Sequence, residues 1–377
     1  MTSISILLPT YATVNLAALA HNLSRIKRYL SPGCEVMAIV KANAYGHGAV
    51  EIAQSLARQG IGQFAVASLD EGIALRQASL SASIVILGAL FEEQIPDLIA
   101  HRLTPVVSDG RILPTLAKAA HSHQAPYPIH LKVETGMGRL GFSQDELLAV
   151  LDNPLLHSSL KIEGLMTHLA DADGADSAFT EQQLAAFRAM LDQVRLRGLT
   201  LPLVHAANSA AIVRFPAAHF SLVRPGIMLY GYHTLPATIP DPDLRPVLSL
   251  HTTVAQLRTI PKGCSVSYNG TFVAKRQTRI AVLPIGYADG YSRRLSHRGS
   301  VLIQGRRAPI VGLVCMDMIM VDVTDLAPVT VGETVTLIGQ QGKESIWADE
   351  VADWIGTIPY EVLCGIGSRV PRIYESA

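Results

Sequence analysis

From about Glu35 to Tyr230, short runs of β-branched and apolar residues alternate with longer amphipathic stretches rich in alanine and leucine. A strand covered on both faces reads as a continuous apolar run, and a helix lying over it carries one apolar stripe, so this alternation predicts repeated βα units around a parallel sheet. Eight runs fit the strand reading: Glu35 to Lys41, Phe64 to Ser68, Ser83 to Gly88, Thr104 to Ser108, Pro128 to Thr135, Ile162 to His168, Leu203 to Asn208, and Leu222 to Tyr230. Helical spacing follows several of them, as in Gly48 to Gln59, Ser143 to Leu151 and Thr180 to Arg197. Eight such units predict an α/β fold, a (β/α)8 TIM barrel; an open doubly wound sheet would need a miscount of one.

After Pro246 the texture changes to short strand-like runs broken by Gly, Pro and Asn, among them Thr252 to Leu257, Ile280 to Leu283, Val301 to Ile303, Met318 to Val323 and Thr334 to Ile338. This predicts a separate, mostly-β domain, with one helical patch at Ile346 to Trp354. A chain of 377 residues also exceeds what one hydrophobic core usually holds. No internal repeat interrupts this division.

Charge removes several function classes. Lys plus Arg equal Asp plus Glu at 31 each, so the basic surplus needed to neutralise nucleic-acid phosphates or anionic lipid is missing. The apolar start of the chain lacks a basic n-region and is interrupted by Pro9, Thr10, Asn15 and His21, which argues against an export signal. No apolar run approaches the roughly 20 residues of a membrane span. Cys34, Cys264, Cys315 and Cys364 form no CxxC pair, which fits a soluble protein of the reducing cytoplasm without structural zinc or disulfides.

The polar residues of interest fall where strands end. Lys41 follows Val36 to Val40 and opens the glycine-broken run Ala42 to Gly48. A lysine at the C-terminal end of a barrel strand points into the mouth, where active sites of this fold lie, and a desolvated amine there can form a Schiff base; alone, such a lysine is as readily a surface residue closing a strand. Arg139, His168, Asn208, Ser209 and Arg224 fall at the same end of later strands. The barrel's usual phosphate site uses the loops after strands seven and eight, where Ser209, Gly226 and Ile227 stand. A phosphate site beside a Schiff-base lysine suggests pyridoxal 5'-phosphate. Singly, His168 reads as a core histidine and Arg224 as an ion-pair former; their convergence on one rim carries the argument.

The run Ala38 to Gly48, Ala-Ile-Val-Lys-Ala-Asn-Ala-Tyr-Gly-His-Gly, closely resembles the cofactor-attachment motif of the alanine racemase family. The resemblance continues through Leu131 to Phe142, Met166 to Ala170, His205 to Ala211, Val223 to Ile227, Ser267-Tyr268, Pro284 to Gly290, Cys315 to Asp322 and Pro359 to Cys364, in the family's order. It implies an N-terminal barrel over residues 13–243 and a C-terminal β domain over 244–377 that takes up residues 1–12. It further implies interconversion of L- and D-alanine by a homodimer, with Lys41 as the Schiff-base lysine and one catalytic base. Tyr268, reaching in from the second subunit, would be the other. By the same matching Tyr45, Ser209, Gly226, Ile227 and Tyr360 hold the phosphate, with Asn208 beside them. His168 and Arg224 stand near the tyrosine base, Arg224 faces the pyridine nitrogen, and Arg139 meets the phenolic oxygen. Met316 lies by the substrate carboxylate, Tyr287 narrows the substrate entrance, and Lys132 matches a lysine carbamylated in many relatives.

Other signals point elsewhere only in isolation. Gly136-Met-Gly-Arg-Leu-Gly141 satisfies GxGxxG but would follow the fifth strand, and no acidic residue ends a strand about 20 residues later as a dinucleotide site requires. Asp171 to Asp176 resembles a calcium loop with its glycine misplaced, and His121 with His123 lacks further metal ligands, so no metal is implied. Rival readings are a non-catalytic carrier of the same cofactor, a related decarboxylase, or a racemase of broader specificity. The first two lack the Ser-Tyr setting of Tyr268. Gly365 to Ser368 departs from the more polar run of many relatives.

Overall fold

The computed structural model describes residues 9–121, 126–153 and 159–375. These described residues divide into two compact units, one within 20–44 and 49–245, the other comprising 9–19, 45–48 and 246–375. Strand β1 (Tyr11–Asn15) belongs to the second unit; the first holds β2 (Glu35–Ile39), β3 (Gln63–Val66), β4 (Ser83–Ile86), β5 (Thr104–Val107), β6 (Tyr127–Lys132), β7 (Leu160–Met166), β8 (Leu203–His205) and β9 (Leu222–Val223). The eight are parallel neighbours in the order β8-β7-β6-β5-β4-β3-β2-β9. At the remaining seam Ser221 N–H donates to the Val204 carbonyl and Arg224 N–H to that of Ala207, so the barrel is nearly closed. Met37, Phe64, Ile84, Leu131 and Leu165, one from each of five strands, are fully buried in its wall.

The helices begin where the sequence supplies caps. Ser68 and Ser143 each cap a helix, Leu69–Gln77 and Gln144–Leu151, in capping boxes completed by Glu71 and Glu146. Most of the strands are shorter than their apolar runs, and the largest difference is the last. Strand pairing stops at Val223, because Pro225 has no N–H to give a ladder and Ile227–Tyr230 turn instead into a 3-10 helix. That helix is buried on all sides, and a fully buried helical turn has the same apolar signature as a buried strand.

The second unit is mostly β. It contains β10 (Leu248–Thr253), β11 (Gln256–Ile260), β12 (Ser265–Val266), β13 (Phe272–Val273), β14 (Thr278–Leu283), β15 (Ser300–Ile303), β16 (Arg306–Pro309), β17 (Ile319–Asp322), β18 (Thr334–Gln341), β19 (Glu344–Ile346) and β20 (Arg372–Glu375). The main sheet runs β16-β15-β18-β10-β1-β20, with β19 on β18; β11-β14-β17 and the pair β12-β13 are separate. The expected strand Thr252 to Leu257 is in fact the junction of β10 and β11, and the expected helix at Ile346 begins at Ala348 after Trp347. No helix among the described residues is long and apolar enough to cross a membrane.

Candidate active site

Lys41 follows β2 after Val40, at the end of five consecutive buried residues, Val36 to Val40, and is itself half-buried. The backbone then makes a left-handed turn: Ala42, Asn43, Ala44 and Tyr45 have φ of 52°, 53°, 54° and 52°. Left-handed backbone costs a non-glycine residue roughly 1–2 kcal/mol, so four in a row need outside support. Ala42 N–H donates to Glu71 Oε1 at 2.6 Å, Ala44 N–H to the Val40 carbonyl at 2.9 Å, and Ala49 N–H to Asn43 Oδ1 at 2.9 Å. Glu71 Oε2 accepts from Ala67 N–H at 2.7 Å, so one carboxylate fixes the turn after Lys41 to the end of β3. Sequence reasoning missed Glu71; the Ser68-Leu-Asp-Glu71 spacing signals a helix cap and nothing of this second role.

Arg224, just after β9, is 4% exposed and has no carboxylate against it among the described residues. Its Nη2 donates to the carbonyls of Thr167 (2.8 Å) and Ala206 (3.0 Å), and its Nη1 to that of His205 (2.8 Å). Nη1 also donates to His205 Nδ1 (3.0 Å) and Nη2 to His168 Nδ1 (3.3 Å). Guanidinium can only donate, so both histidines must accept at Nδ1 and carry their proton at Nε2. His205 Nε2–H then donates to His130 Nδ1 at 3.0 Å, which puts the His130 proton on Nε2, an atom without a partner among the described residues. Three histidine tautomers are thus set by one cation. Burial, reinforced by the Arg224 charge, pushes His130 down to about 4, His168 down to about 3 and His205 well below the ordinary histidine range.

Because these folded-state values lie below that of the unfolded chain, the unfolded state binds more protons as pH drops below 6.5. Stability from the three histidines is fully present above pH 6.5 and is lost as pH falls toward 4. For fully buried His130 the difference is on the order of 3 kcal/mol. Urea midpoints should therefore decline steeply between pH 7 and 4.5; a flat response would mean that the histidines are already charged in the fold.

Lys132 ends β6, 4% exposed, and burial together with the charges of Arg139 and Arg224 lowers its amine to about 8. Lys41 also presses on Lys132 and on His168, so Lys41, Lys132, Arg139, His168 and Arg224 share one electrostatic neighbourhood. Arg139 is exposed in the loop after β6, its N–H on Glu134 Oε2.

Ser209 is buried, and its Oγ accepts from Gly226 N–H at 3.0 Å and Met228 N–H at 3.4 Å. With its lone pairs engaged, the hydroxyl proton remains to be donated, as an anion would require. Asn208 caps the short helix Ser209–Arg214 through Oδ1 on Ala211 N–H, and its Nδ2 donates to the Leu169 carbonyl. It therefore holds the Ser209 backbone in place.

In the other unit Tyr45 and Tyr360 stack at 5.8 Å between centroids, tilted by 50°. Burial raises the Tyr45 phenol well above its ordinary value, so it is a neutral donor. Tyr268 is 66% exposed and lines a groove of about 570 Å³ with Arg258, Ser267, Cys315, Met316 and Met318. The Met316 carbonyl accepts from Ala288 N–H and that of Cys315 from Tyr287 N–H, which couples Tyr287 to Met316 through the backbone. Among the described residues no group of three or more His, Cys, Asp or Glu is placed to hold a metal ion; His123 lies outside them.

These residues fit pyridoxal phosphate. The buried guanidinium offers only donors, Ser209 keeps a proton to give, and a lysine follows a barrel strand. A (β/α)8 barrel so equipped, followed by a β domain, defines the barrel class of pyridoxal-phosphate enzymes. The sequence profile of the alanine racemase N-terminal domain matches residues 14–234, and that of the C-terminal domain residues 247–374. The alanine racemase of Carboxydothermus hydrogenoformans is 45% identical over 367 residues, covering 97% of this chain and 99% of its own. That of Halothermothrix orenii is 42% identical over 368 residues, covering 98% and 97%. Among solved structures, the alanine racemase of Bartonella henselae with covalently bound pyridoxal phosphate superposes with a TM-score of 0.88 at 33% identity, covering 98% of this chain and 100% of that one.

The chain belongs to the alanine racemase family, and its reaction is the pyridoxal-phosphate-dependent interconversion of L- and D-alanine.

Proposed function

We propose that racemisation runs by two bases from two subunits, Lys41 of one and Tyr268 of its partner, in a cytoplasmic homodimer. D-alanine would go to peptidoglycan or, in the reverse direction, be consumed as a nutrient. The observation that carries this reading is the placement of Lys41 and Tyr268 in different compact units, with Tyr268 exposed beside exposed Met316 and Met318. An exposed apolar patch of this kind suits a partner surface. All four cysteines are free, which supports a reducing compartment. The domain division 13–243 and 244–377 follows the same reading, with residues 1–12 joining the second.

When bound, the cofactor withdraws electrons from the substrate and makes its Cα–H acidic. Lys41 Nζ removes or returns that proton on one face, and Tyr268 Oη on the other. His168, neutral and protonated at Nε2, offers a donor to the partner's phenolate oxygen, which lowers the cost of Tyr268 acting as a base. Arg224, with donors alone, keeps the pyridine nitrogen unprotonated. Ser209, Gly226 and Ile227, with Tyr45 and Tyr360, hold the phosphate, and Asn208 supports Ser209. Arg139 meets the phenolic oxygen, while Met316 and Tyr287 border the substrate. Lys132, its amine lowered to about 8, is suited to attack carbon dioxide, losing one proton to water and gaining a carboxylate that faces Arg139.

Mixing two inactive variants tests the shared site. If each subunit contributes one base, a heterodimer of Lys41→Ala and Tyr268→Phe has one doubly defective site and one intact site. After exchange of subunits at equal concentration, about a quarter of wild-type activity should return. No recovery despite proven exchange would place both bases in one subunit.

A further inference from the structure

Tyr268 stands on a backbone that its neighbour has no intrinsic reason to adopt. Ser267 has φ 71° and ψ −178°, a region essentially restricted to glycine, whose occupation costs a side-chain-bearing residue of the order of 1–3 kcal/mol. Asn269, on the other side of Tyr268, is also left-handed at φ 60°. Such a conformation persists only where the surroundings over-determine it, and here three features do so.

The Ser267 hydroxyl both accepts from Leu313 N–H and donates to the Leu313 carbonyl, each at 3.0 Å. These two bonds fasten one side chain to a single residue of the segment between β16 and β17. The facing residue is Gly312, at φ 74°, and a Cβ there would lie 2.4 Å from Ser267 Cβ and 3.0 Å from the Val266 carbonyl. Cys315 Sγ closes the group at 3.8 Å from Ser267 Oγ. By contrast, Tyr268 itself is two-thirds exposed, so its own side chain has little packing to hold it. Its direction is set by the residue before it.

We infer that Ser267 is a positioning residue for the tyrosine base: its two-point bond to Leu313, in the space left by Gly312, holds a strained backbone that aims Tyr268. The inference rests on the two-base reading above. It assigns the strain a purpose, since a relaxed Ser267 would turn the Tyr268 Cα–Cβ bond away from its present direction. Proton transfer is sensitive to such displacement, and an ångström of misplacement can cost up to about 100-fold.

Ser267→Ala keeps the Cβ and removes both bonds; Ser267→Gly also removes the strain. Enantiomers are equal in energy, so kcat/KM must fall alike in both directions, by roughly 10- to 100-fold in either variant. The distinguishing readout is the isotope effect with Cα-deuterated alanine. It should rise for the enantiomer whose proton Tyr268 removes, because that step becomes limiting, and shrink toward one for the other enantiomer, whose proton Lys41 removes. The absorption spectrum of bound cofactor should stay as in the wild type, and the glycine variant should melt no lower than the alanine variant. Full activity in Ser267→Gly, or isotope effects that move alike for both enantiomers, overturns the inference while leaving the two-base reading intact if Tyr268→Phe is inactive. An active Tyr268→Phe overturns both.

Discussion

On the two-base reading proposed above, Lys41→Ala removes the covalent attachment point and one of the two groups that exchange the substrate proton, and should lose racemase activity by roughly 10⁴-fold or more. The fold should survive, since Lys41 is only half-buried and the turn after it is held by Glu71, Asn43 and the Val40 carbonyl through backbone N–H groups that the substitution leaves in place. A second effect has the opposite sign. Lys41 is one of the cations that depress Lys132 and His168, so removing it should let both bind protons more readily. Circular dichroism, D-alanine formation, and borohydride labelling of the wild type at Lys41 followed by mass spectrometry together test this. Activity within tenfold of the wild type would remove Lys41 from the chemistry.

Arg224→Glu should have the next largest effect, and on two quantities at once. A carboxylate would face the carbonyls of Thr167, His205 and Ala206, which now receive the guanidinium, without a compensating donor. Breaking a buried charge arrangement of this sort costs about 3–5 kcal/mol. The reaction should also change character. With Arg224 facing the pyridine nitrogen as proposed above, a carboxylate in its place would let that nitrogen hold a proton, spreading electron density away from Cα, so racemisation should fall while pyruvate from transamination appears. Arg224→Lys retains the charge but lacks the planar fork, and should lose stability without gaining pyruvate. Urea unfolding and a pyruvate assay separate the outcomes. Undiminished racemisation without pyruvate in Arg224→Glu would dismiss this account of Arg224.

The parts of the site that the sequence discloses are those where residue type and position do the same work. Lys41 closes an apolar strand and opens a glycine-broken run, and Arg224 sits next to a proline that must end pairing, so both are legible before any coordinates. His130 and His205 were not, because a histidine inside an apolar strand carries no sign of its partner; only the fold brings Nδ1 of one to Nε2 of the other. Glu71 was half legible. Ser68-Leu-Asp-Glu71 announces a capping box, but nothing local says that the same carboxylate also receives Ala42 N–H. The left-handed turn at Ala42–Tyr45 and the strain at Ser267 leave no mark in composition at all, since no glycine stands where glycine conformation is used. The extent of β9 was misjudged for a related reason: Ile227 to Tyr230 are apolar because they are buried, and burial does not distinguish a strand from a tight helical turn.

The strand order of the β domain sets a schedule for the nascent chain. β1 lies between β10 and β20, antiparallel to the first and parallel to the second, with Ala12 opposite both Leu250 and Arg372. During synthesis this early segment must wait, unpaired, while the whole barrel emerges and acquires its local contacts, and it gains its second neighbour only when Arg372–Glu375 leave the ribosome. Pairings so distant along the chain form late and slowly. The barrel is thereby given time to form before the sheet is completed.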